Sequence, residues 1–227
     1  MNGAVLYNGP SNHNGQPILG IVTGLDRPSA NAKTGHTLQT WILYRRTDPV
    51  RASHNQRDDS VCGSCPLRRS TGGACYVELG KAPNNVWQAW RNGRYGEAEP
   101  WMFAGHVLRA GSYGDPAMLP YDVWGTILPY PKITIGYTHQ WATADPRFSR
   151  FCMASVETEA QRLQAKAMGY RTFRVTTQSE TLAGEIMCPH YTRGVQCVDC
   201  LLCAGTKRKA KDIAVLAHGA LKGRLGD

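Results

Sequence analysis

The strongest constraint on what this chain can fold into is a rhythm that begins at residue 38, where short β-prone runs alternate with loops and short helices. Leu38 to Tyr44 is rich in β-branched and aromatic side chains and reads as a strand. A long polar loop follows, then a helix with Asn84 or Asn85 as its cap, Val86, Ala89 and Trp90 on one face, and Gly93 as its stop. His106 to Ala110 is a second strand, Gly111 to Pro116 a glycine-rich loop, and Pro120 to Leu128 a helix that ends before Pro129 and Pro131. Lys132 to Tyr137, Phe151 to Val156, Tyr170 to Val175 and Ile213 to Leu216 are the remaining strands. The fourth is followed by a helix with Thr158 and Gln161 at capping-box spacing and Gly169 as its stop. Six such units predict an α/β fold built as a partial (β/α)6 barrel-like parallel sheet. An open doubly wound sheet is the other arrangement the pattern allows.

Residues 1–36, rich in Gly, Asn and Pro, read as an irregular N-terminal arm with one apolar stretch at Ile18 to Val22. Residues 37–227 then form one β/α domain that includes the C-terminal cysteine cluster at 188–203. Asn31 to Gly35 has the residues of a phosphate loop in the wrong order, so that motif is rejected. No apolar run approaches the roughly 20 residues needed to span a bilayer, and the start lacks the basic and apolar regions of a signal peptide, so no membrane is expected and the compartment is a reducing cytoplasm.

Eight cysteines in such a compartment point to metal or redox work. Cys62, Cys65 and Cys75 lie in the loop after the first strand; Cys188, Cys197, Cys200 and Cys203 form a second group. The second has the tight spacing used around a cubane iron–sulfur cluster, with Cys188 as a distant fourth ligand, whereas structural zinc usually takes two separated pairs. Three cysteines on a four-iron cluster leave one iron open to bind a substrate or cofactor. The other reading of the first group is a structural zinc completed by His54 or Cys152, although Cys152 lies in an apolar run and suits a core position.

Parallel sheets gather their ligand sites at the carboxyl ends of their strands, where the unusual polar residues of this chain fall. Asp115, His139 and Glu157 are candidates for binding or proton transfer, and Gln178, at the exit of the fifth strand, for cofactor binding. Asp115 before a proline also suits a turn, Glu157 a helix start, and His139 a core histidine with a satisfied ring. Tyr137 and Trp141 either stack on a purine or pack. The formal charge of +9 favours an anionic partner, nucleic acid or an anionic substrate, and Lys207, Arg208, Lys209 and Lys211 form the candidate nucleic-acid patch.

A three-cysteine loop directly after the first strand of a parallel β/α barrel resembles the radical S-adenosylmethionine enzymes. That resemblance implies an open [4Fe-4S] cluster in the loop, an auxiliary cluster on the second group, an electron donor, and Gly114-Asp115-Pro116 near the methionine amino group of S-adenosylmethionine. The family spacing is CxxxCxxC; here it is CxxC, nine residues, then Cys75. CGSCPL with a later Cys-Tyr, SYGDPAMLP, GYTHQW, CMASVETEAQ, RTFRV and the final CxxCLLCxG together resemble a cysteine-rich protein family of bacteriophages and plasmids, from about residue 31 onward. This second resemblance implies a mobile-element origin and a bacterial host cytoplasm. Two functions are therefore expected in competition: a radical-S-adenosylmethionine-like iron–sulfur enzyme with one or two clusters, and a phage or plasmid nucleic-acid-binding protein stapled by iron–sulfur or zinc.

Overall fold

The computed structural model describes residues 2–27, 29 and 31–225. In chain order its elements are β1 (Gly3–Pro10), β2 (Pro17–Thr23), β3 (Leu38–Tyr44), α1 (Pro49–His54), α2 (Asp59–Cys62), α3 (Ala82–Arg91), β4 (Gly96–Glu97), β5 (Val107–Tyr113) and α4 (Tyr121–Ile127). There follow β6 (Ile133–Thr138), β7 (Met153–Val156), α5 (Glu159–Ala167), β8 (Thr172–Thr176), β9 (Glu185–Met187), α6 (Pro189–Arg193), α7 (Cys197–Cys200) and β10 (Asp212–Leu216).

All the strands join one sheet in the order β4-β1-β2-β3-β5-β6-β7-β8-β10-β9. From β3 through β10 every pairing is parallel and neighbours follow in chain order, except that β4 pairs with β1 at the far edge and β9 adds outside β10. A doubly wound sheet reverses direction at a switch point; this order has none. The six strands expected from the sequence are all in this run, with no end shifted by more than three residues.

The N-terminal segment differs from the expectation. Residues 3–23 are not irregular: β1 and β2 form an antiparallel hairpin, and β2 pairs antiparallel with β3. Six residues of β2 are buried, including Ile18, Leu19, Ile21 and Val22, because β2 lies between β1 and β3, a position that the Gly- and Asn-rich composition hides. The hairpin packs into the main core with Ile42, Leu43, Leu108, Phe103, Trp124 and Phe151. Each such side chain contributes about 1.5–3 kcal/mol by leaving water.

Two local features position the site. The register of β3 against β5 shifts between Gln39 and Trp41, a bulge that Thr40 fills by accepting from the Gly111 amide at 2.8 Å and donating to the Arg109 carbonyl at 3.1 Å. Bulges re-aim side chains, and beyond this one Gly111 through Asp115 all border the same cavity rather than alternating faces. α5 starts on the expected capping box, with Thr158 accepting from the Gln161 amide and Gln161 accepting from the Thr158 amide. No helix among the described residues is long and apolar enough to cross a membrane.

Candidate metal centre

The first cysteine loop is folded back on itself by a buried carboxylate. Asp58 accepts from the Ser70 hydroxyl at 2.6 Å and from Arg68 at 3.4 Å, while its carbonyl takes the Cys62 amide at 2.8 Å. The Cys75 amide donates to the Leu67 carbonyl at 2.8 Å, which returns the third cysteine to the first two. Support comes also from the neighbouring strand exits. The Asp115 amide donates to the Val61 carbonyl at 2.7 Å. Gln140 donates to the Cys62 carbonyl at 3.2 Å and accepts from the Ser64 amide and hydroxyl at 3.3 and 3.0 Å.

Two glycines permit this closeness. Gly63, at φ +56°, lies where a Cβ would come within 2.6 Å of the Gln140 amide group. Gly114, at φ +79°, would place a Cβ 2.6 Å from Ile42 Cβ and 2.8 Å from its carbonyl oxygen. Both positions combine a left-handed backbone with no room for a side chain.

Cys62, Cys65 and Cys75 border one cavity of about 580 Å³. Burial pushes the Cys62 thiol well above its ordinary pKa, and the negative charge of Cys65, Cys75, Asp58 and Asp115 pushes it further. Cys75 is likewise raised by burial, against a hydrogen bond from the Val77 backbone. Burial and neighbouring negative charge disfavour the Cys62 and Cys75 thiolates, and a bound metal group would offset both. The donor set therefore fits a metal group. Among the described residues, no three His, Cys, Asp or Glu side chains lie close enough together to share a single metal ion. In a cubane each cysteine binds a different iron, which calls for wider spacing than one shared ion.

Asp115, His139 and Glu157 are brought together beside this loop. His139 Nε2 lies 2.8 Å from Glu157 Oε1 and 4.0 Å from Cys65 Sγ. Burial alone would lower the His139 pKa; Cys65 and Glu157 outweigh it and raise the pKa well above the ordinary value. Asp115 is buried and accepts from the Thr138 hydroxyl and the His139 amide, both at 2.7 Å, and from the Ala117 amide at 3.0 Å. Burial raises its pKa against these donors. Gly114, Asp115 and His139 border the cavity, and Glu157 reaches it through His139. Gln178 is exposed and does not border it.

Tyr137 borders the cavity with its ring 3.9 Å from that of Phe173, whereas Trp141 is buried and donates to the Ser155 carbonyl at 3.0 Å. His54 is exposed at the end of α1 and Cys152 is fully buried against the core, so neither completes the first cysteine group.

The second group is inserted between β8 and β10 and borders a recess of about 20 Å³ with Cys188, Cys197, Cys200 and Cys203. Burial pushes Cys203 up to about 12, with Tyr137 opposing and the other three cysteines adding. Arg171 fastens the segment, donating to the carbonyls of Leu202, Gly205, Ala210 and Lys211. From the other side residues 32–34 act as a strap: their carbonyls take the Gln196 side-chain amide and the Cys197 and Val198 backbone amides. Cys197 also borders the large cavity, so the two groups meet there. Lys207, Arg208, Lys209 and Lys211 are exposed on the outer part of this segment, away from the cavity.

Nothing local in the sequence marks Asp58, Gln140 and Arg171 as supporting residues. Gln140 stood inside the GYTHQW motif and Arg171 inside RTFRV, so the motifs were the available signal, but their partners are distant in sequence. Comparisons with protein-family models, curated proteins and solved structures give no match to this chain.

Proposed function

We propose that this protein is an iron–sulfur protein, a radical-S-adenosylmethionine-like enzyme, in which Cys62, Cys65 and Cys75 hold a [4Fe-4S] cluster with one iron facing the cavity. The observation that carries this reading is the convergence of three free thiols on a 580 Å³ cavity at the carboxyl ends of parallel strands. Such a group, when bound, would supply an electron for reductive cleavage of S-adenosylmethionine. The chain's own residues hold the cluster loop through Asp58 and Gln140, keep His139 against Glu157 beside Cys65, and present Asp115 to the same space.

The partial-barrel reading has similar support. Residues of β5, β6, β7, β8 and β10 all border the one cavity. At about 4.8 Å between strands, five in succession span roughly 19 Å, which calls for a sheet that curves around the space. The mobile-element origin, the bacterial cytoplasm and an electron donor belong to the same proposal.

A second reading rests on the second group. Its recess has room for about one water, the dimension of a staple, and four exposed basic residues project beside it. In this reading iron–sulfur or zinc fixes the segment while Lys207, Arg208, Lys209 and Lys211 touch the phosphates of nucleic acid.

The test is anaerobic reconstitution followed by iron, sulfide and zinc analysis and incubation with S-adenosylmethionine and a strong reductant. The expected result is a brown protein that forms 5'-deoxyadenosine, while the C62A/C65A/C75A variant loses about four irons per chain. A colourless protein with stoichiometric zinc and no 5'-deoxyadenosine overturns the first reading.

A further inference from the structure

Two cations border the cavity without a carboxylate partner among the described residues. Arg109, on β5, donates to the Tyr76 hydroxyl at 2.6 Å and to Gln39 Oε1 at 3.4 Å. A guanidinium carries five N–H donors, so most of its capacity is uncommitted. Lys33, on the strap, places Nζ 3.1 Å from the Tyr191 hydroxyl and 4.6 Å from the centre of that ring. A chain of contacts joins the two: the Tyr76 and His218 rings lie 4.6 Å apart, and the Tyr191 hydroxyl is 2.9 Å from His218 Nδ1.

Charge on this side of the cavity is positive. The pKa of His218 is lowered chiefly by burial, opposed by the Leu216 carbonyl, and lowered further by Lys33, Arg109 and His190. Among the described residues Asp115 is the one carboxylate bordering the cavity, and three donors already engage it. Isolated charges in partly closed space are costly, so the two cations call for an anion. The rest of the lining includes apolar and aromatic side chains, Tyr113, Tyr137, Phe173, Val175 and Val215. Apolar walls with a few convergent polar groups, at this volume, are the usual make-up of a small-molecule site.

We propose that the cavity binds a small aromatic molecule bearing one phosphate or carboxylate group, with Arg109 and Lys33 holding the anionic group and the Tyr137–Phe173 wall covering the aromatic body. The assignment names the substrate class for the proposed function and rests on that cavity being the reaction site. The rival role for the same cations is to offset the Cys197 thiolate, whose pKa burial raises and both cations pull down.

The experiment is a calorimetric titration of the anaerobically reconstituted full chain with four probes: adenosine 5'-monophosphate, benzoate, adenosine and inorganic phosphate. At least one of the two aromatic anions should bind about tenfold more tightly than both adenosine and inorganic phosphate. Arg109→Gln and Lys33→Gln should each weaken that binding about tenfold or more, with metal and sulfide content unchanged and circular dichroism unaltered. Equal binding of adenosine, absence of binding by both aromatic anions, or variants that lose metal together with ligand would each overturn the assignment. Anion binding by a chain that takes up no iron sinks the iron–sulfur reading and leaves this site standing; iron uptake without anion binding does the reverse.

Discussion

The two cysteine segments differ in how they are held and in what they face. The first is bound into the interior: Asp58 pins it from within, the Asp115 amide and Gln140 reach it from two other strand exits, and its thiols open on a cavity of about 580 Å³. The second is an insertion fastened chiefly by one guanidinium and a strap, and its four cysteines border a recess of only about 20 Å³. A metal group with a vacant position needs rigid support behind and space in front, whereas a staple needs only to be enclosed. Under the proposed function, the first segment is the one suited to reaction and the second the one suited to holding the chain together.

The comparison breaks most visibly at Arg171. Replacing it with Met removes charged donors from four carbonyls at once, and a loss of about 4 kcal/mol in denaturant unfolding is expected. Metal bound by the second group should fall with it while the first group keeps its iron; equal loss from both would mean that the segments are not separately supported. Next in size is Gln140→Ala, which leaves the Cys62 carbonyl and the Ser64 amide without their partner and should cost about 2 kcal/mol. Hydrogen exchange at Ser64 should quicken while exchange at Cys197 and Val198 stays slow. Smallest is neutralisation of Lys207, Arg208, Lys209 and Lys211, which are solvated and should shift stability by no more than about 0.5 kcal/mol. If the second reading holds, the same change lowers the salt slope of nucleic-acid binding by up to about four; an unchanged slope removes the patch.

The parallel run of strands was legible because its signals are local. A β-prone run, a capping pair such as Thr158 and Gln161, and a stop such as Gly169 all lie within a few residues of what they specify. The hairpin at residues 3–23 was not legible, because its burial comes from packing on β3 and the core rather than from its own composition. The same division runs through the site. The cysteines announce themselves by spacing, and Asp115 and His139 by their place at strand exits. Asp58 resembles any polar loop residue until Ser70 and Arg68 close on it, and Arg109 is one charge within a strand until the fold sets it beside Tyr76 and Gln39 at the cavity. Gln178, placed by the same strand-exit rule, is exposed because its strand runs on into an open turn.

The strap has a consequence for the order of assembly. Its bonds to the second cysteine segment join residues 164 positions apart, as between Ala32 and Gln196. Closing so long a loop is slow, and a chain emerging from the ribosome at about 5–20 residues per second presents the first cysteine loop several seconds before the second. The first loop's bonds to Asp115 and Gln140 can form in that interval, but the strap has nothing to grip until the last cysteines appear. The cavity should therefore stand open on one side during synthesis, until residues 32–34 and 196–198 meet beside it.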